Sequence, residues 1–407
     1  MAATNTRVRR QTVAVLTTAR AEYYQLRSVL AALQRSETLS LRLLVSGSHL
    51  SPNFGRSERD ILRDGFEISE RLPILVDEDS GLGAAATSAL AVQTVATALH
   101  HHAADLLVLL GDRYELLAAA LAATCLGIPI AHIHGGERTD GALDDVCRHA
   151  ITKLSALHFV STDIYRARVL QMGEQPDRVF TIGAPLLDQV KATPLLSAEE
   201  LEKELGLRLH PPVALVAYNP ATRAETDDAE ICRWLLEAVA AHCRTIIVTA
   251  PNQDAGYTDV LSTMQAFAAQ HENIRLFTNL GSQRFLSVMS HSALMAGNSS
   301  SGIHEAASFR LPVVNVGSRQ AGRLRTRNVV DCEPAAEAIR SAVARALSSA
   351  FTERLRGSEN PYGDGHAGET LVAHLERLAP FQRLLAKPFH DGPEVIASAA
   401  KWKAEHE

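Results

Sequence analysis

The sequence has few cysteines, no excess of basic residues and no long apolar run, and each of these would have indicated a particular class of protein. It has five cysteines among 407 residues, and no two of them form a CxxC pair, which favours a reduced, cytoplasmic protein over a disulfide framework. Its net charge is −6, so it has no basic excess of the kind that marks a nucleic-acid partner. No uninterrupted apolar run reaches the roughly 18 residues of a membrane span. We therefore expect a cytoplasmic protein with neither a nucleic-acid nor a membrane partner.

A glycine fingerprint is also missing after the first apolar segment, 12–16. The chain turns there through TTARAEY (17–23) and not GxGxxG, which argues against a dinucleotide cofactor. Arg20 in this turn could hold a phosphate, because a guanidinium and a helix N-terminus both attract anions. A surface arginine is an equally good interpretation. The apolar segment is too short for a signal-peptide core and is interpreted as the first strand.

What the chain does contain is a rhythm of short apolar runs and helical patterns. The composition, 46% hydrophobic and 21% charged, is typical of a globular protein, and the length predicts two or three domains. The rhythm predicts parallel βαβ units in two halves of an α/β fold. The strands are predicted at 12–16, 41–45, 106–110, 128–133, 157–160, 179–182, 213–217, 245–248, 274–277, 293–296 and 312–316. A polar stretch at 190–211 predicts domains over 1–190 and 191–370, followed by 371–407. Residues 77–87, acidic and then rich in glycine and alanine, predict a mobile loop.

Ionisable residues collect after two neighbouring strands in the stretch 105–153. Asp112 and Arg113 follow the run 106–110, His134 and Glu137 follow 128–133, and Asp144 opens the next helix. The carboxyl ends of parallel strands lie at one edge of a sheet, where ligands bind. Apolar surroundings can shift pKa values there and support proton transfer. The alternative is that these residues only form turns and helix caps.

A second polar cluster belongs to the other half of the chain. GNSSSG (297–302) follows a strand and is predicted to open a helix through Glu305, so its backbone N–H groups could hold a diphosphate. A serine-rich N-cap is the alternative. Arg319, Gln320 and Arg323 follow the strand 312–316 and could bind a nucleotide or form a solvated basic loop. The triplet His100–His102 is interpreted as a solvated helix end, and no metal site is predicted.

Taken together, these motifs resemble the UDP-N-acetylglucosamine 2-epimerase family, most closely its hydrolysing branch. The resemblance covers about residues 11–385. It is carried by TTARAEY (17–23), SGSHL (46–50), GDRYE (111–115), HIHGGERTDGALDD (132–145), RHAITKLSALHF (148–159), GNSSSGIHEA (297–306) and VGSRQAGR (316–323). It implies two Rossmann-like domains facing across a cleft in a glycosyltransferase-B-like fold, with a C-terminal helix crossing back to the first domain.

The resemblance also implies a reaction and a partner. A base takes the C2 proton of UDP-N-acetylglucosamine as UDP leaves C1, and water then adds to give N-acetylmannosamine. No cofactor is implied, the partner is a small nucleotide sugar or sugar phosphate, and a homo-oligomer (dimer or tetramer) is expected.

Residue roles follow from the same resemblance. Asp112 and Asp144 match acid/base carboxylates, and with His134 and Glu137 they form the predicted catalytic set. The predicted substrate contacts are Arg20, His49, Arg113, Asp188, Asn219, Ser300, Ser301, Gly302, Glu305, Arg319, Gln320 and Arg323. Among these, Ser300, Ser301 and Gly302 match the diphosphate cradle and Glu305 a ribose contact. His49 could instead be an ordinary loop histidine.

Two positions depart from the family pattern. His134 stands where many relatives have a catalytic glutamate, and Asn219 stands where relatives usually have a histidine. These departures leave alternatives open: an epimerase of another nucleotide sugar or of a sugar phosphate without hydrolysis, or a sugar-nucleotide-binding regulator that is not an enzyme.

Overall fold

The computed structural model describes residues 9–76, 78, 80–139, 143–220, 227–251 and 256–406. Within these residues the strands form two sheets, one of seven strands and one of six, and each pairing between neighbouring strands is parallel. The first sheet contains β1 (Gln11–Thr17), β2 (Leu39–Ser46), β3 (Glu70–Leu72), β4 (Leu106–Leu110), β5 (Ile130–Ile133), β6 (Leu157–Val160) and β7 (Val179–Thr181). The second contains β8 (Val213–Ala217), β9 (Thr245–Thr249), β10 (Ile274–Phe277), β11 (Leu294–Gly297), β12 (Val313–Val316) and β13 (Val329–Cys332).

Helices make the crossovers that parallel strands require. They are α1 (Arg20–Arg35), α2 (Glu58–Arg63), α3 (Gly81–His101), α4 (Tyr114–Cys125), α5 (Leu143–Leu154), α6 (Asp163–Gln171), α7 (Pro185–Ala192), α8 (Ala198–Leu205), α9 (Asp228–Ala240), α10 (Tyr257–Gln270), α11 (Gly281–His291), α12 (Ala336–Ala346), α13 (Ser349–Glu353), α14 (Ala367–Leu378) and α15 (Pro393–His406). Short 3₁₀ turns lie at Gly47–His49, Pro52–Phe54, Pro176–Arg178, Ser300–Gly302, Ala306–Phe309 and Phe381–Leu385.

The chain divides into two compact units. Unit 1 is Met1–Gln189 together with Gly365–Glu407, and unit 2 is Val190–Asp364. Helix α14 packs against α1, so the C-terminal residues belong to the same unit as the first strand. The parallel sheet in each unit confirms the predicted α/β fold class.

The order of the strands defines one special place in each sheet. The first sheet runs β3-β2-β1-β4-β5-β6-β7, so the chain leaves β1 toward β2 on one side, and β4 lies on the other. The second sheet runs β10-β9-β8-β11-β12-β13, and β8 and β11 have the same relation. Crossovers diverge at such a switch point and leave a crevice at the carboxyl ends of the two strands, where ligands bind in open α/β sheets.

The central strands of both sheets are buried on both faces, which explains their uninterrupted apolar runs. In β4, Leu106, Val108 and Leu110 enter one core cluster while Leu107 and Leu109 enter the cluster on the other face. The strands of unit 2 alternate in the same way between two clusters. This burial fixes the register, because a shift by one residue would exchange the two faces of every strand.

The prediction of a mobile loop over 77–87 is wrong for most of its length. Helix α3 begins at Gly81, and the Ser80 side chain accepts a hydrogen bond from the backbone N–H of Gly83 as an N-cap. Residues 77 and 79 lie outside the described residues. Among the glycines that suggested a loop, Gly83 packs closely, since a Cβ there would lie 2.1 Å from the carbonyl oxygen of Glu78.

Helix α3 is long and apolar enough to cross a membrane by length and composition alone, with a mean hydropathy of 1.4 over its most apolar window. In this fold it packs against α4 and contributes buried residues to the core under the first sheet. A buried core helix of a globular protein can satisfy the same length and composition criteria, so the absence of a membrane partner stays a prediction.

Candidate active site

Polar side chains at the carboxyl edge of unit 1 surround its switch point. The residues after β1 and those after β4 lie at the crevice, and those after β5 lie next to them because Leu110 pairs with Ile133. The structure thereby brings Arg20, Asp112, Arg113 and His134 to one edge, as the strand pattern predicted.

Asp112 is held by a buried arginine that the sequence interpretation did not select. The Arg148 guanidinium on α5 donates to Asp112 Oδ2 and, at 2.9 Å, to the Thr139 hydroxyl, while its other terminal nitrogen lies 3.2 Å from Asp145 Oδ1. Arg148 is 3% exposed, so its charge is compensated by these carboxylates and not by water. The sequence could have indicated Arg148 as a site residue, because it lies one helical turn after Asp144 and therefore on the same face of α5.

Asp144 lies at the start of α5 in the field of Asp112. Its side chain remains in contact with water on one side, while burial on its inner side raises the pKa of Asp144, and the Asp112 carboxylate raises it further. Two carboxylates that share a site ionise less readily than either alone. Asp144 is therefore suited to carry a proton, and Asp112, beside Arg148, to accept one.

Arg113 is tied to a buried carboxylate network. Its guanidinium donates to Glu115 Oε1 at 2.7 Å and lies 3.7 Å from Glu22 Oε1. Glu22 also accepts a 2.7 Å hydrogen bond from the backbone N–H of Thr18, in the turn after β1. Burial raises the pKa of Glu22 to about 7. Glu22 was not singled out by the sequence interpretation, although it lies within the TTARAEY motif.

Arg20 and His49, two predicted substrate contacts, differ in their exposure to solvent. Arg20, the first residue of α1, is exposed, and its guanidinium lies 4.0 Å from Asp60. His49 is fully buried: Nε2 is 3.0 Å from the Thr17 hydroxyl and Nδ1 is 2.8 Å from the Ser57 hydroxyl. Burial lowers the pKa of His49 to about 4, so the ring is neutral. The geometry makes His49 a clamp between the ends of β1 and β2, and Arg20 an accessible cation.

His132 and His134 have separate roles around β5. His132 is buried, with Nε2 2.8 Å from the carbonyl oxygen of Gly111 and Nδ1 3.2 Å from the Thr152 hydroxyl, and burial lowers its pKa to about 3. It therefore fixes the start of the loop that carries Asp112. His134 lies beyond the strand end with Nδ1 2.7 Å from Glu137 Oε1. The two rings have different partners, in line with the alternation along a strand.

Asp188 has its carboxylate at a helix terminus. Oδ1 accepts from the backbone N–H of Ala367 at 2.8 Å and Oδ2 from that of Gly368 at 2.7 Å. The N-terminus of α14 is an anion site by virtue of its unsatisfied N–H groups, and Asp188 occupies it. The structure thus gives both oxygens of this predicted substrate contact to the fold of unit 1.

In unit 2 a single asparagine connects three strand ends. The Asn298 side chain, after β11, accepts from the backbone N–H of Asn219 at 2.7 Å and donates to its carbonyl oxygen at 2.7 Å. The carbonyl oxygen of Asn298 accepts from Gln320 Nε2 at 2.8 Å and lies 3.4 Å from an Arg319 terminal nitrogen. Gly297 permits this junction, because a Cβ there would lie 2.0 Å from the carbonyl oxygen of Ala217. Asn298 belongs to the GNSSSG motif but was not selected as a site residue.

The prediction of an α-helix after Gly297 is wrong. The chain forms 3₁₀ turns at Ser300–Gly302 and Ala306–Phe309 in place of a regular α-helix. The Ser299 side chain accepts from the backbone N–H of Ser301, which closes a tight turn, and a Cβ on Gly302 would lie 2.9 Å from Val313 Cγ1. Close packing on β12 therefore keeps Ser300, Ser301 and Gly302 at the sheet edge.

Of the two carboxylate oxygens of Glu305, one accepts a hydrogen bond and the other has no partner among the described residues. Oε1 accepts from the Ser301 hydroxyl at 3.1 Å, whereas Oε2 is buried without a hydrogen-bond partner in the part of the chain that the structure describes. Burial raises the pKa of Glu305 to about 7. A buried oxygen left in this way costs free energy unless a ligand hydroxyl donates to it. This geometry suits the predicted ribose contact.

A cavity of about 560 Å³ opens at the carboxyl ends of β8, β11, β12 and β13. It is lined by Tyr218, Asn298, Arg319, Arg325 and Asp331 among others. Gln320 lies buried beside it with Oε1 unpartnered among the described residues, and Arg323 lies in the field of Glu305. The predicted loop 319–323 therefore does reach the switch point of unit 2, with amide and guanidinium groups that can bind a nucleotide.

One cluster of metal-ligating side chains is found in the described ranges, away from these residues. Its ligand atoms, on Glu70, His101 and His102, lie within 4.8 Å of one another. His102 already pairs with Glu70 at 2.9 Å. The prediction that the catalytic site needs no metal stays a prediction.

Comparison with known proteins identifies the family. A family model described as UDP-N-acetylglucosamine 2-epimerase matches residues 31–376. The chain is 38% identical, over 79% of its length and 84% of the relative, to the GDP/UDP-N,N'-diacetylbacillosamine 2-epimerase (hydrolyzing) of Campylobacter jejuni. It is 35% identical, over 91% of its length and 97% of the relative, to the UDP-N,N'-diacetylbacillosamine 2-epimerase (hydrolyzing) of Legionella pneumophila.

Solved structures agree at the level of the fold. The UDP-GlcNAc 2-epimerase of Neisseria meningitidis, bound to UDP-GlcNAc, superposes with a TM-score of 0.72 at 18% identity, covering 90% of this chain and 100% of that one. Two parallel α/β units with polar residues at both switch points, and sequence matches over most of the chain, lead to one conclusion: the protein is an enzyme of the UDP-N-acetylglucosamine 2-epimerase family, in its hydrolysing branch.

Proposed function

We propose that the enzyme hydrolyses and epimerises a UDP-activated 2-acetamido sugar, and that its substrate is UDP-N,N'-diacetylbacillosamine. The proposal rests on the relatives at 38% and 35% identity, which carry that activity in their names. The chemistry has its support in unit 1, where two carboxylates and a histidine lie at one sheet edge.

The proposed reaction consumes water and releases UDP. A base removes the C2 proton, the C2–H electrons form a C1=C2 bond, and the C1–O electrons leave with UDP. Water then adds its hydroxyl to C1, and an acid returns a proton to C2 on the opposite face. Asp144, with its raised pKa, fits the acid, and Asp112 beside Arg148 fits the group that accepts a proton from water.

The residues of unit 2 are proposed to bind the UDP. The Ser301 and Gly302 N–H groups bond within their own turn, so the Ser300 N–H and the arginines of the loop after β12 would stabilise the departing diphosphate. Glu305 Oε2 would accept from a ribose hydroxyl. Stabilising the charge that develops on the leaving group lowers the barrier for elimination at C1.

A second candidate substrate is UDP-N-acetylglucosamine. The specific support is the relative from Neisseria meningitidis named UDP-N-acetylglucosamine 2-epimerase, which is 27% identical over 82% of this chain. UDP-N-acetylglucosamine has the same 2-acetamido group and the same UDP as UDP-N,N'-diacetylbacillosamine, and the two sugars differ at C4 and C6.

The test is an incubation with each UDP sugar in deuterated water, followed by phosphorus and proton NMR. The proposal predicts release of UDP and a free sugar inverted and deuterated at C2, with the larger kcat/KM for UDP-N,N'-diacetylbacillosamine. A larger kcat/KM for UDP-N-acetylglucosamine would transfer the substrate assignment to that sugar. No UDP release and no exchange from either would overturn the proposal.

A further inference from the structure

His134 has a backbone and a side chain that are both unusual. Its φ is +69°, in the left-handed region that residues other than glycine seldom adopt. Its side chain is 12% exposed, with Nδ1 2.7 Å from Glu137 Oε1. Its Nε2 is buried without a hydrogen-bond partner among the residues that the structure describes. Strain and an unpartnered buried nitrogen together are typical of a functional site.

The partner of Nδ1 decides which ring nitrogen carries the hydrogen. Glu137 Oε1 acts as an acceptor, so Nδ1 is the donor in this hydrogen bond. The Ser161 hydroxyl donates to the same oxygen, Oε1, at 3.3 Å, which supports its role as an acceptor. With the hydrogen on Nδ1, the neutral ring has its lone pair on Nε2, so Nε2 is a base.

The loop between the two residues is rigidly held. A Cβ on Gly136, whose φ is +79°, would lie 2.4 Å from the carbonyl oxygen of Tyr165, so the loop lies directly on α6. The Arg168 guanidinium donates to the carbonyl oxygen of Gly136. Glu137 therefore reaches His134 from a fixed position, as pre-organised acid/base groups require.

The sheet places this pair next to Asp112. Leu110 pairs with Ile133, so Gly111 and His134 leave the sheet side by side from neighbouring strands. Asp112 follows Gly111 directly. Nε2, which has no partner among the described residues, thus lies at the same edge as the carboxylates of the proposed reaction.

We propose that Glu137 is a positioning residue that holds His134 with its hydrogen on Nδ1, so that Nε2 removes the C2 proton of the substrate. In this step the C2–H electrons form the C1=C2 bond, the C1–O electrons leave with UDP, and the proton stays on Nε2 as an imidazolium that Glu137 stabilises. The inference rests on the proposed function for its substrate.

The first test compares two glutamates that each pair with a histidine. Glu137→Gln keeps the shape but no longer forces the hydrogen onto Nδ1, and we expect kcat to fall by about 100-fold or more with little change in KM. Glu70→Gln breaks the matched pair with His102 outside the site, and kcat is expected to stay unchanged. If Glu137→Gln retained the parent kcat, or raised KM alone, the positioning role would be wrong.

The second test reads the tautomer without any substrate. In protein labelled with ¹⁵N-histidine and held in alkaline buffer, the His134 signals, assigned by their loss in His134→Gly, should show a protonated Nδ1 and an unprotonated Nε2. In Glu137→Gln the Nε2-protonated form should gain population, while His102 keeps its own pattern. A protonated Nε2 in the parent enzyme would overturn the inference even if the enzyme turned over the proposed substrate.

The third test restores the base chemically. His134→Gly suits the left-handed backbone, so the fold should be retained, and added imidazole should recover part of the lost C2 exchange. Ala103→Gly, at another non-glycine position with positive φ (+47°), controls for the backbone change. Rescue of His134→Gly but not of Asp112→Asn supports Nε2 as the base, and equal rescue of both or of neither contradicts it.

Discussion

The carboxyl edges of the two sheets use the same topology for different chemistry. In unit 1 the residues after β1, β4 and β5 are acids, arginines and a histidine, several of them buried in ion pairs. In unit 2 the residues after β8, β11 and β12 are mainly asparagines, serines and a glutamine joined through Asn298, together with Arg319 and one buried acid, Glu305. Ion pairs at a half-buried edge can shift pKa values and move protons, whereas amides and hydroxyls bind without titrating. The comparison teaches that the switch point sets where a site forms and the side chains set what it does.

The comparison is tested most strongly at Asp112. Asp112→Asn keeps the side-chain shape and a contact with Arg148 but removes the proton acceptor, so kcat should fall by about 1,000-fold while UDP binding in unit 2 is retained. Kinetics and calorimetric titration with UDP measure the two effects. Asp163→Asn, an exposed acid of the same unit, is the control. An unchanged kcat would mean that unit 1 does not carry the proton chemistry.

Glu22 tests whether the buried acids of unit 1 make its stability depend on pH. The pKa of Glu22 in the folded state is about 7, above the ordinary 4.5, so the folded state binds its proton more tightly than the unfolded state. Its favourable contribution is fully present below pH 4.5 and is lost as the pH rises through about 7.

Glu22→Gln removes this dependence. Relative to the parent, the free energy of unfolding of the variant should therefore rise by about 3 kcal/mol between these two pH values. Urea unfolding at both pH values measures it. Glu369→Gln, an exposed glutamate on α14, should show no such trend, and the same slope in parent and Glu22→Gln would contradict the assignment.

Asp188 separates a structural from a binding role. Asp188→Ala leaves two N–H groups at the start of α14 without an acceptor, and we expect a loss of about 2 kcal/mol in the free energy of unfolding. The C-terminal segment from Gly365 should become more sensitive to protease, with little change in KM. Ser197→Ala, which removes the N-cap of α8 in unit 2, gives the matched capping loss. A raised KM with unchanged stability would instead favour the predicted substrate contact.

Glu305 tests the binding edge and should give the smallest effect. Glu305→Gln weakens the hydrogen bond that Oε2 would accept from the ribose, so KM and the Kd for UDP should rise about tenfold with kcat nearly unchanged. Because burial raises the pKa of Glu305 to about 7, the affinity for UDP should also fall as the pH drops below that value.

Glu337→Gln, on the exposed face of α12, is the control for Glu305, and calorimetric titration at two pH values is the measurement. A loss of kcat without a change in the Kd for UDP would contradict the assignment of binding to unit 2 and of proton chemistry to unit 1.

Most strands could be predicted because a doubly covered strand leaves a plain signal. The apolar runs of β4, β6 and β8 predicted the observed bounds, since each is buried on both faces. The bounds of β10 were also predicted, although it is an edge strand in which Arg275 is exposed. Strands β3 and β13 were missed, because at three and four residues with charged members they lie at sheet edges and lack that signal. The turns after Gly297 were predicted as a helix because serine and glycine cap a regular helix and a 3₁₀ turn alike.

The sequence by itself determined the fold class, the family and the sheet edges at which charged residues gather. Those features depend on local periodicity and on motifs of consecutive residues. Only the tertiary structure decided the partner of each side chain: Asp188 caps a helix 179 positions away, His49 uses both ring nitrogens within the fold, and Arg148 holds Asp112. The physical reason is that a hydrogen bond requires two atoms at a given distance and direction. Residues far apart in the chain acquire that geometry only when the sheets and helices pack.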